Sequence, residues 1–171
     1  QLQDGTYPTM LMDAATQSSF ITSYLAPALA AAHSPTEILA YDQNWDNTTY
    51  PLSVLAGPAG GVVSGTAFHC YAGRPDAMTL VHDQFPAKDI HFSECSADTL
   101  TSGFLRNLRF DMQTLIVGAI RNWARTILKW NLILDTAHGP HIGGCPNCLG
   151  LLTVDRTTSP PTIVYNYDFY T

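Results

Sequence analysis

Apolar residues recur at three- and four-residue intervals in two long stretches of the chain. The first covers residues 9–32, with Pro27 near its end, and the second covers residues 104–127. Because this spacing puts the apolar side chains on one face of an α-helix, both stretches are predicted to be amphipathic helices. Pro27 is expected to kink or break the first of them. Two shorter helices are predicted at residues 52–56 and 73–85.

Short apolar runs bounded by glycine, proline and polar residues lie between these helices. The predicted strands are residues 38–40, 62–69, 90–94 and 128–134. Residues 151–154 and 162–165 flank a turn that contains Pro160 and Pro161, which predicts a hairpin. Four strands that alternate with helices imply a parallel sheet with right-handed crossovers. The alternation fits an α/β doubly wound sheet or part of a (β/α)8 barrel, and periodicity does not choose between them.

Polar side chains fall at or near the carboxyl ends of these strands. They are Asp42–Asn44, His69, Glu94, Trp130 and Asn131. In a (β/α)8 barrel this edge carries the chemistry, because its loops vary over a packed core.

Composition narrows the functional classes. The chain has 171 residues and a mass of 18.6 kDa, below the roughly 250 residues of a complete (β/α)8 barrel. With 46% hydrophobic residues and a net charge of −6, it can bury a core but has no basic surface for nucleic acid. No apolar stretch reaches the roughly 20 residues of a membrane span. Gln1 is neither an initiator methionine nor part of a signal region, so we expect a processed N-terminus.

Four cysteines and the glycosylation motif at Asn47 favour an extracellular protein. Cys70 and Cys95 follow neighbouring predicted strands, where a disulfide can form, and this leaves Cys145 to pair with Cys148. An alternative is a zinc site, for which the ligands would be His138, His141, Cys145 and Cys148.

Glu94 is the strongest candidate for chemistry. The chain contains only one other glutamate, Glu37, at a helix-to-strand junction where a solvated surface charge is expected. Glu94 ends an apolar strand, where its carboxylate would project into a cleft. His69 and Tyr71, after the preceding strand, could donate hydrogen bonds that keep this carboxylate ionised.

Tryptophan and asparagine side chains offer a second signal. Trp130 and Asn131 combine a flat apolar face with an amide, which suits sugar rings, although core packing explains Trp130 equally well. Trp45 has the same two interpretations. Trp123 follows the helical period and is predicted to belong to the core.

Six motifs occur in an order that resembles glycoside hydrolase family 30, especially its secreted β-1,6-glucanase and glucosylceramidase-like members. The motifs are Tyr7-Pro8-Thr9-Met10, Ala40-Tyr41-Asp42-Gln43-Asn44-Trp45-Asp46, Phe68-His69-Cys70-Tyr71, Phe92-Ser93-Glu94-Cys95-Ser96, Arg121-Asn122-Trp123 and Lys129-Trp130-Asn131-Leu132. The resemblance extends to Gly139-Pro140-His141 and Gly143-Gly144-Cys145. It implies a (β/α)8 barrel joined to a β-sandwich, and a retaining β-glycosidase that needs no cofactor.

The resemblance also implies roles for residues. Glu94 matches the nucleophile, His69 and Tyr71 line its side of the pocket, and Trp130 is a sugar platform. Asn131, next to Trp130, would also bind the substrate, and Asn44 and Trp45 would border the cleft. The substrate would be a β-glucan or a glucosylated lipid.

The acid/base glutamate of the family belongs to an Asn-Glu-Pro motif just before the match to Tyr7-Pro8, and residues 1–4 contain no such motif. We therefore expect residues 1–171 to be the second half of the barrel, about strands 5 to 8, without the first half or the sandwich, and inactive alone. The alternative is a carbohydrate-binding relic of the same fold.

Overall fold

The computed structural model describes residues 10–99, 103–142 and 144–171. Motif positions 7–9 and Gly143, and the N-terminal residues 1–4 considered above, lie outside the described residues.

The first predicted helix is present but changes its winding partway. It begins as α1 (Ala14–Phe20), widens into a π-helix (Ile21–Leu25) and ends as α2 (Ala26–Ala31). Pro27 lies in the first turn of α2, where its missing N–H costs least. The π-helical segment therefore lets the helix continue past the proline without a break.

Four parallel strands form the main sheet in the order β1, β2, β3, β5. The strands are β1 (Leu39–Asn44), β2 (Gly65–His69), β3 (Asp89–Glu94) and β5 (Ala124–Ile127). Every residue of β2 is buried, as expected for a strand with neighbours on both sides and helices over one face. The α/β fold with a parallel sheet is thus confirmed, and β2 and β3 begin within three residues of their predicted starts.

Three helical segments cover the sheet and provide most of the core. They are α3 (Thr49–Ala56), α4 (Asp76–Gln84) and the helix formed by α5 (Phe104–Phe110), a π-helix (Asp111–Val117) and α6 (Gly118–Arg121). Their apolar side chains belong to the same core as Phe68 of β2 and Phe92 of β3; the most deeply buried helical ones are Val54, Met78, Val81 and Leu115. Among the described residues, no helix is long and apolar enough to cross a membrane.

Two bulges interrupt the pairing of the strands near their carboxyl ends. Between β1 and β2 the register moves from Tyr41 to Gln43, which leaves Asp42 out of the ladder. Between β2 and β3, Phe68 pairs with Phe92 and the next pair is His69 with Glu94, so Ser93 is the extra residue. A bulge redirects side chains, and both extra residues belong to the site described below.

The fourth strand lies earlier than predicted. The helix ends at Arg121 instead of residue 127, and β5 occupies residues 124–127 instead of 128–134. Trp123 adopts a positive φ of 75° and stacks on His82 of α4, with ring centroids 3.7 Å apart. This contact turns the chain out of the helix. Trp123 is exposed, so its prediction as a core residue was wrong.

The predicted hairpin is present at the C-terminal end of the described chain. Strands β8 (Leu152–Asp155) and β9 (Thr162–Tyr165) pair antiparallel, and Pro160 and Pro161 lie in the connection, as predicted. Strand β6 (Ile133–Asp135) adds parallel to β8. Strands β4 (Ala97–Asp98) and β7 (Cys148–Leu149) form a separate two-stranded pair. A 3-10 turn (Tyr167–Tyr170) follows the hairpin.

A buried charge cluster joins this turn to the helix after β4. Lys129 Nζ donates to Asp111 Oδ2 at 2.7 Å, and both side chains are largely buried. Asp168 is 3% exposed, and its carboxylate oxygens have no hydrogen-bond partner among the described residues. Burial, together with the charge of Asp111, raises the pKa of Asp168 to about 6. One lysine thus faces two carboxyl groups away from water.

We predict that the thermal stability of the protein falls as the pH rises from 4 to 7 and that Asp168→Asn removes part of this fall. Because the pKa of Asp168 is raised in the folded state, folding favours its protonated form, and this contribution is lost as the pH passes about 6. Melting temperatures of both proteins across this pH range test the prediction. Parallel pH profiles for the two proteins would contradict it.

Candidate active site

Glu94 lies at the carboxyl end of β3, where it receives a hydrogen bond from a tyrosine on the neighbouring strand end. Tyr71 Oη donates to Glu94 Oε1 at 2.9 Å. The backbone N–H of Ser96 donates in turn to Tyr71 Oη at 3.1 Å. A phenol that accepts one hydrogen bond while donating another is a stronger donor, so this chain of hydrogen bonds orients the Glu94 carboxylate.

Asn44 holds the backbone of Tyr71 from the other side. Tyr71 N donates to Asn44 Oδ1 at 3.1 Å, and Tyr41 Oη donates to the Asn44 carbonyl at 2.6 Å. The side-chain oxygen of Asn44 is therefore used within the protein. This geometry gives Asn44 a supporting position at the strand ends, next to the tyrosine that contacts Glu94.

His69 lies beneath Tyr71 and not on the cleft surface, contrary to its predicted contact with substrate. It is 3% exposed, and its ring meets that of Tyr71 edge-on with centroids 6.0 Å apart. Its Nε2 donates to Asp42 Oδ1 at 3.0 Å. His69 is buried because it ends the fully buried strand β2, and its polar atom is satisfied by a carboxylate of β1.

Trp45 was predicted at the cleft border, but the structure places its side chain in the core. Its ring is buried and stacks on Phe92, with centroids 5.1 Å apart and an interplanar angle of 19°. The large apolar surface of the indole explains this placement. Phe92 lies two residues before Glu94, so Trp45 supports the strand that carries the carboxylate.

Trp130 is exposed next to this site. Its backbone N–H donates to the Cys95 carbonyl at 3.0 Å, and it forms an isolated parallel bridge with Ser96. Half of its surface is accessible. Asn131 has a different environment, because its Oδ1 is buried against Gly150. The backbone thus brings Trp130, but not the amide oxygen of Asn131, to an exposed position beside Glu94.

Asp42 and Ser93 form a network to which sequence reasoning assigned no role, although Asp42 is among the polar residues predicted at the strand ends. Ser93 Oγ donates to Asp42 Oδ1 at 2.7 Å, beside the bond from His69. The hydrogen bond from His69, followed by that from Ser93, holds the pKa of Asp42 below its ordinary value. Their position at strand ends was the available signal, but the two bulges that bring them together leave no mark in the hydrophobic pattern.

Both predicted disulfides are present. Cys70 and Cys95 are bonded with Cα atoms 5.4 Å apart, and Cys145 and Cys148 with Cα atoms 5.5 Å apart. The second bond uses both sulfur atoms of the alternative zinc site. Among the described residues, no group of three or more histidine, cysteine or acidic side chains could hold a metal ion.

The sequence matches the model of the glycosyl hydrolase family 30 TIM-barrel domain over residues 2–144. The chain belongs to glycosyl hydrolase family 30. This membership confirms the resemblance inferred from the motifs. It also assigns the parallel sheet to the TIM-barrel domain of the family.

Individual relatives agree with the family 30 assignment. The chain is 39% identical over 154 residues to the endo-1,6-β-D-glucanase BGN16.3 of Trichoderma harzianum, covering 88% of this chain and 30% of that protein. It is 36% identical over 154 residues to the endo-1,6-β-D-glucanase neg1 of Aspergillus fumigatus, with the same coverage of 88% and 30%. The chain therefore spans less than a third of the length of these curated relatives.

A solved structure shows the same fold. The endo-β1,6-glucanase BT3312 superimposes with a TM-score of 0.89 at 30% sequence identity, covering 95% of this chain and 38% of that structure. The family 30 chain described here therefore has the fold of a segment of a larger glucanase.

We predict that His69→Phe raises the pKa of Asp42. The phenyl ring keeps the edge contact with Tyr71 but removes the hydrogen bond that contributes most to the lowered pKa. Carboxyl carbon NMR titration measures the change. His82→Phe is the matched control, because His82 stacks on Trp123 outside this network. An unchanged pKa of Asp42 in His69→Phe would contradict the prediction.

Proposed function

We propose that the protein to which this chain belongs is a retaining β-glycoside hydrolase that cleaves β-1,6-glucan, with Glu94 as its nucleophile. The observation that carries the proposal is the hydrogen bond from Tyr71 Oη to Glu94 Oε1 at the carboxyl edge of a parallel sheet in a family 30 chain. Relatives named as endo-1,6-β-glucanases support glucan as the substrate, in preference to the glucosylated lipid also considered above.

The chemistry requires two carboxyl groups about 5 to 5.5 Å apart on either side of the scissile bond. Glu94 would attack the anomeric carbon as the leaving oxygen is protonated by the second group, forming a covalent glycosyl-enzyme. The second group would then deprotonate a water molecule that attacks the same carbon and releases Glu94. The hydrogen bond from Tyr71 fits the nucleophilic role of Glu94, because it orients the attacking carboxylate.

We propose that the acid/base group comes from outside these 171 residues. Glu37, the other glutamate, is exposed and precedes β1, which spans roughly 20 Å for its six residues at about 3.3 Å each. It therefore lies at the opposite edge of the sheet from Glu94. Asp42 is close to the site, but its lowered pKa makes it a poor proton donor. On this proposal the chain alone does not turn over substrate.

We propose further that β1, β2, β3 and β5 are strands 5 to 8 of the barrel. Their uniform parallel order and the intervening helices support this assignment. So does the extent of the match, which is 30% of the first relative and 38% of the solved glucanase. In this arrangement the carboxyl edge with Glu94 forms one side of a cleft completed by the remaining strands.

An extracellular location is part of the proposal. Two disulfides support it, since such bonds persist in oxidising surroundings. Asn47, the predicted glycosylation site, lies in the loop between β1 and α3, where its Oδ1 accepts a hydrogen bond from Tyr50 N at 3.2 Å. A surface loop suits attachment of a glycan.

We predict that Glu94→Gln in the full-length protein lowers the rate of β-1,6-glucan hydrolysis at least about a thousandfold, because an amide cannot attack the anomeric carbon. The folded state is retained, since the amide can still accept the bond from Tyr71. Reducing-sugar release measures the rate, and NMR of the first product anomer tests retention.

Glu37→Gln is the matched control, as it makes the same change at an exposed position away from the site. Near-normal turnover by Glu94→Gln would refute the nucleophile assignment. If the unaltered full-length protein bound glucan but never cleaved it, the carbohydrate-binding alternative would take its place.

We predict that Trp130→Ala raises the KM for glucan by roughly tenfold, about 1.4 kcal/mol of binding free energy, because the exposed indole beside Glu94 would stack on a sugar ring. Trp123→Ala is the control, since the two side chains are 50% and 52% exposed. Steady-state kinetics on defined β-1,6-gluco-oligosaccharides provide the measurement. Equal effects of both substitutions would argue against a platform at Trp130.

A further inference from the structure

We propose that the Cys70–Cys95 disulfide is a positioning element of the active site, which sets the β2 and β3 strand ends so that Tyr71 reaches Glu94. This inference rests on the function proposed above. It concerns the alignment of the nucleophile, in addition to any general stabilisation that the cross-link provides.

The location of the bond is the first argument. The parallel ladder between β2 and β3 ends with the pair His69 and Glu94. Cys70 and Cys95 are the residues that follow this pair, so the disulfide links the two strand ends directly beyond their last backbone pair. It fixes the two Cα atoms 5.4 Å apart.

The second argument is that both ends of the hydrogen-bond chain adjoin this cross-link. Tyr71 follows Cys70, and its Oη both donates to Glu94 Oε1 and accepts from Ser96 N. Glu94 precedes Cys95 and Ser96 follows it. A change in the separation of the two strand ends would therefore lengthen both hydrogen bonds of the phenol at once.

Burial provides the third argument. Tyr71 is 51% exposed, whereas Cys95 is 3% exposed and Cys70 packs against the hydrophobic core. The tyrosine ring is thus not held by packing on all sides, and water can compete for its hydroxyl. The disulfide, with Cys95 buried and Cys70 partly buried against the core, supplies the rigid base that an exposed side chain needs for precise orientation.

The loop after Tyr71 is anchored toward β1 as well. Gly73 has a φ of 83° and lies so close to the Trp45–Asp46 backbone that a Cβ atom would clash. Together with the bond from Tyr71 N to Asn44 Oδ1, this contact fixes one side of the loop. The disulfide fixes the side that faces β3, which carries the reacting carboxylate.

The experiment uses the full-length enzyme and the variants Cys70→Ala/Cys95→Ala, Tyr71→Phe and their combination. We expect loss of the disulfide to lower kcat by about tenfold to a hundredfold, the order of effect that misalignment of a reacting group produces. We also expect KM to stay unchanged, because the exposed Trp130 is left in place, so the loss appears in kcat alone.

The combined variant decides between positioning and general stabilisation. If the disulfide acts through Tyr71, the combination has the same kcat as Tyr71→Phe alone. If the two losses multiply, or if removal of the disulfide raises KM and leaves kcat unchanged, the inference is overturned. An inactive unaltered enzyme would refute the proposed function instead, so the two failures are distinguishable.

Two controls account for loss of stability. Val81→Ala and Met78→Ala each open a cavity in the buried face of α4. Both are expected to lower the melting temperature while leaving kcat unchanged. Should the Cys70→Ala/Cys95→Ala variant not fold, phosphine reduction of the folded unaltered enzyme and of folded Tyr71→Phe, followed by measurement of kcat and KM, tests the inference with the same two outcomes.

Discussion

The carboxylate of Asp42 ties three strand ends together, and the arrangement of the site depends on it. Asp42 Oδ1 accepts hydrogen bonds from His69 on β2 and Ser93 on β3, at 3.0 and 2.7 Å. Asp42 and Ser93 are the residues that the two bulges leave out of the ladder. The interaction thus links both bulges and sets the strand ends from which Tyr71 and Glu94 extend. The Asp42 carboxylate thus accepts the hydrogen bond of the buried His69 ring and aligns the strand ends that carry Tyr71 and Glu94.

Glu94 is supported by apolar packing below and polar or covalent links above. Phe92, stacked on Trp45, fixes the strand that carries it. Tyr71, Ser96 N and the Cys70–Cys95 bond lie on the exposed side. Packing fixes the position of the backbone, while short directional bonds orient the carboxylate. The proposed role of Glu94 as nucleophile requires both kinds of constraint, because attack depends on direction as well as on distance.

The environments of two aspartates show how the same side chain takes opposite roles in this fold. Hydrogen bonds from His69 and Ser93 lower the pKa of Asp42, which therefore remains a carboxylate in the site. Asp168, buried near Asp111 without a donor among the described residues, has a pKa raised to about 6. Composition counts both as acidic residues. Their surroundings alone distinguish Asp42, whose charge aligns the strand ends, from Asp168, whose charge destabilises the fold at neutral pH.

The sequence by itself determined the alternation of strands and helices, the edge that carries Glu94, both disulfides and the family. These features follow from periodicity, strand-end positions and motifs, all of which are local along the chain. The tertiary structure decided the two bulges, the burial of His69 and Trp45, and the helix end at Arg121, where Trp123 stacks on His82. Each of these depends on which residues face one another across elements distant in sequence. The local sequence pattern holds no information about such contacts, so it predicted the sheet edge that carries Glu94 but not which side chains are exposed there.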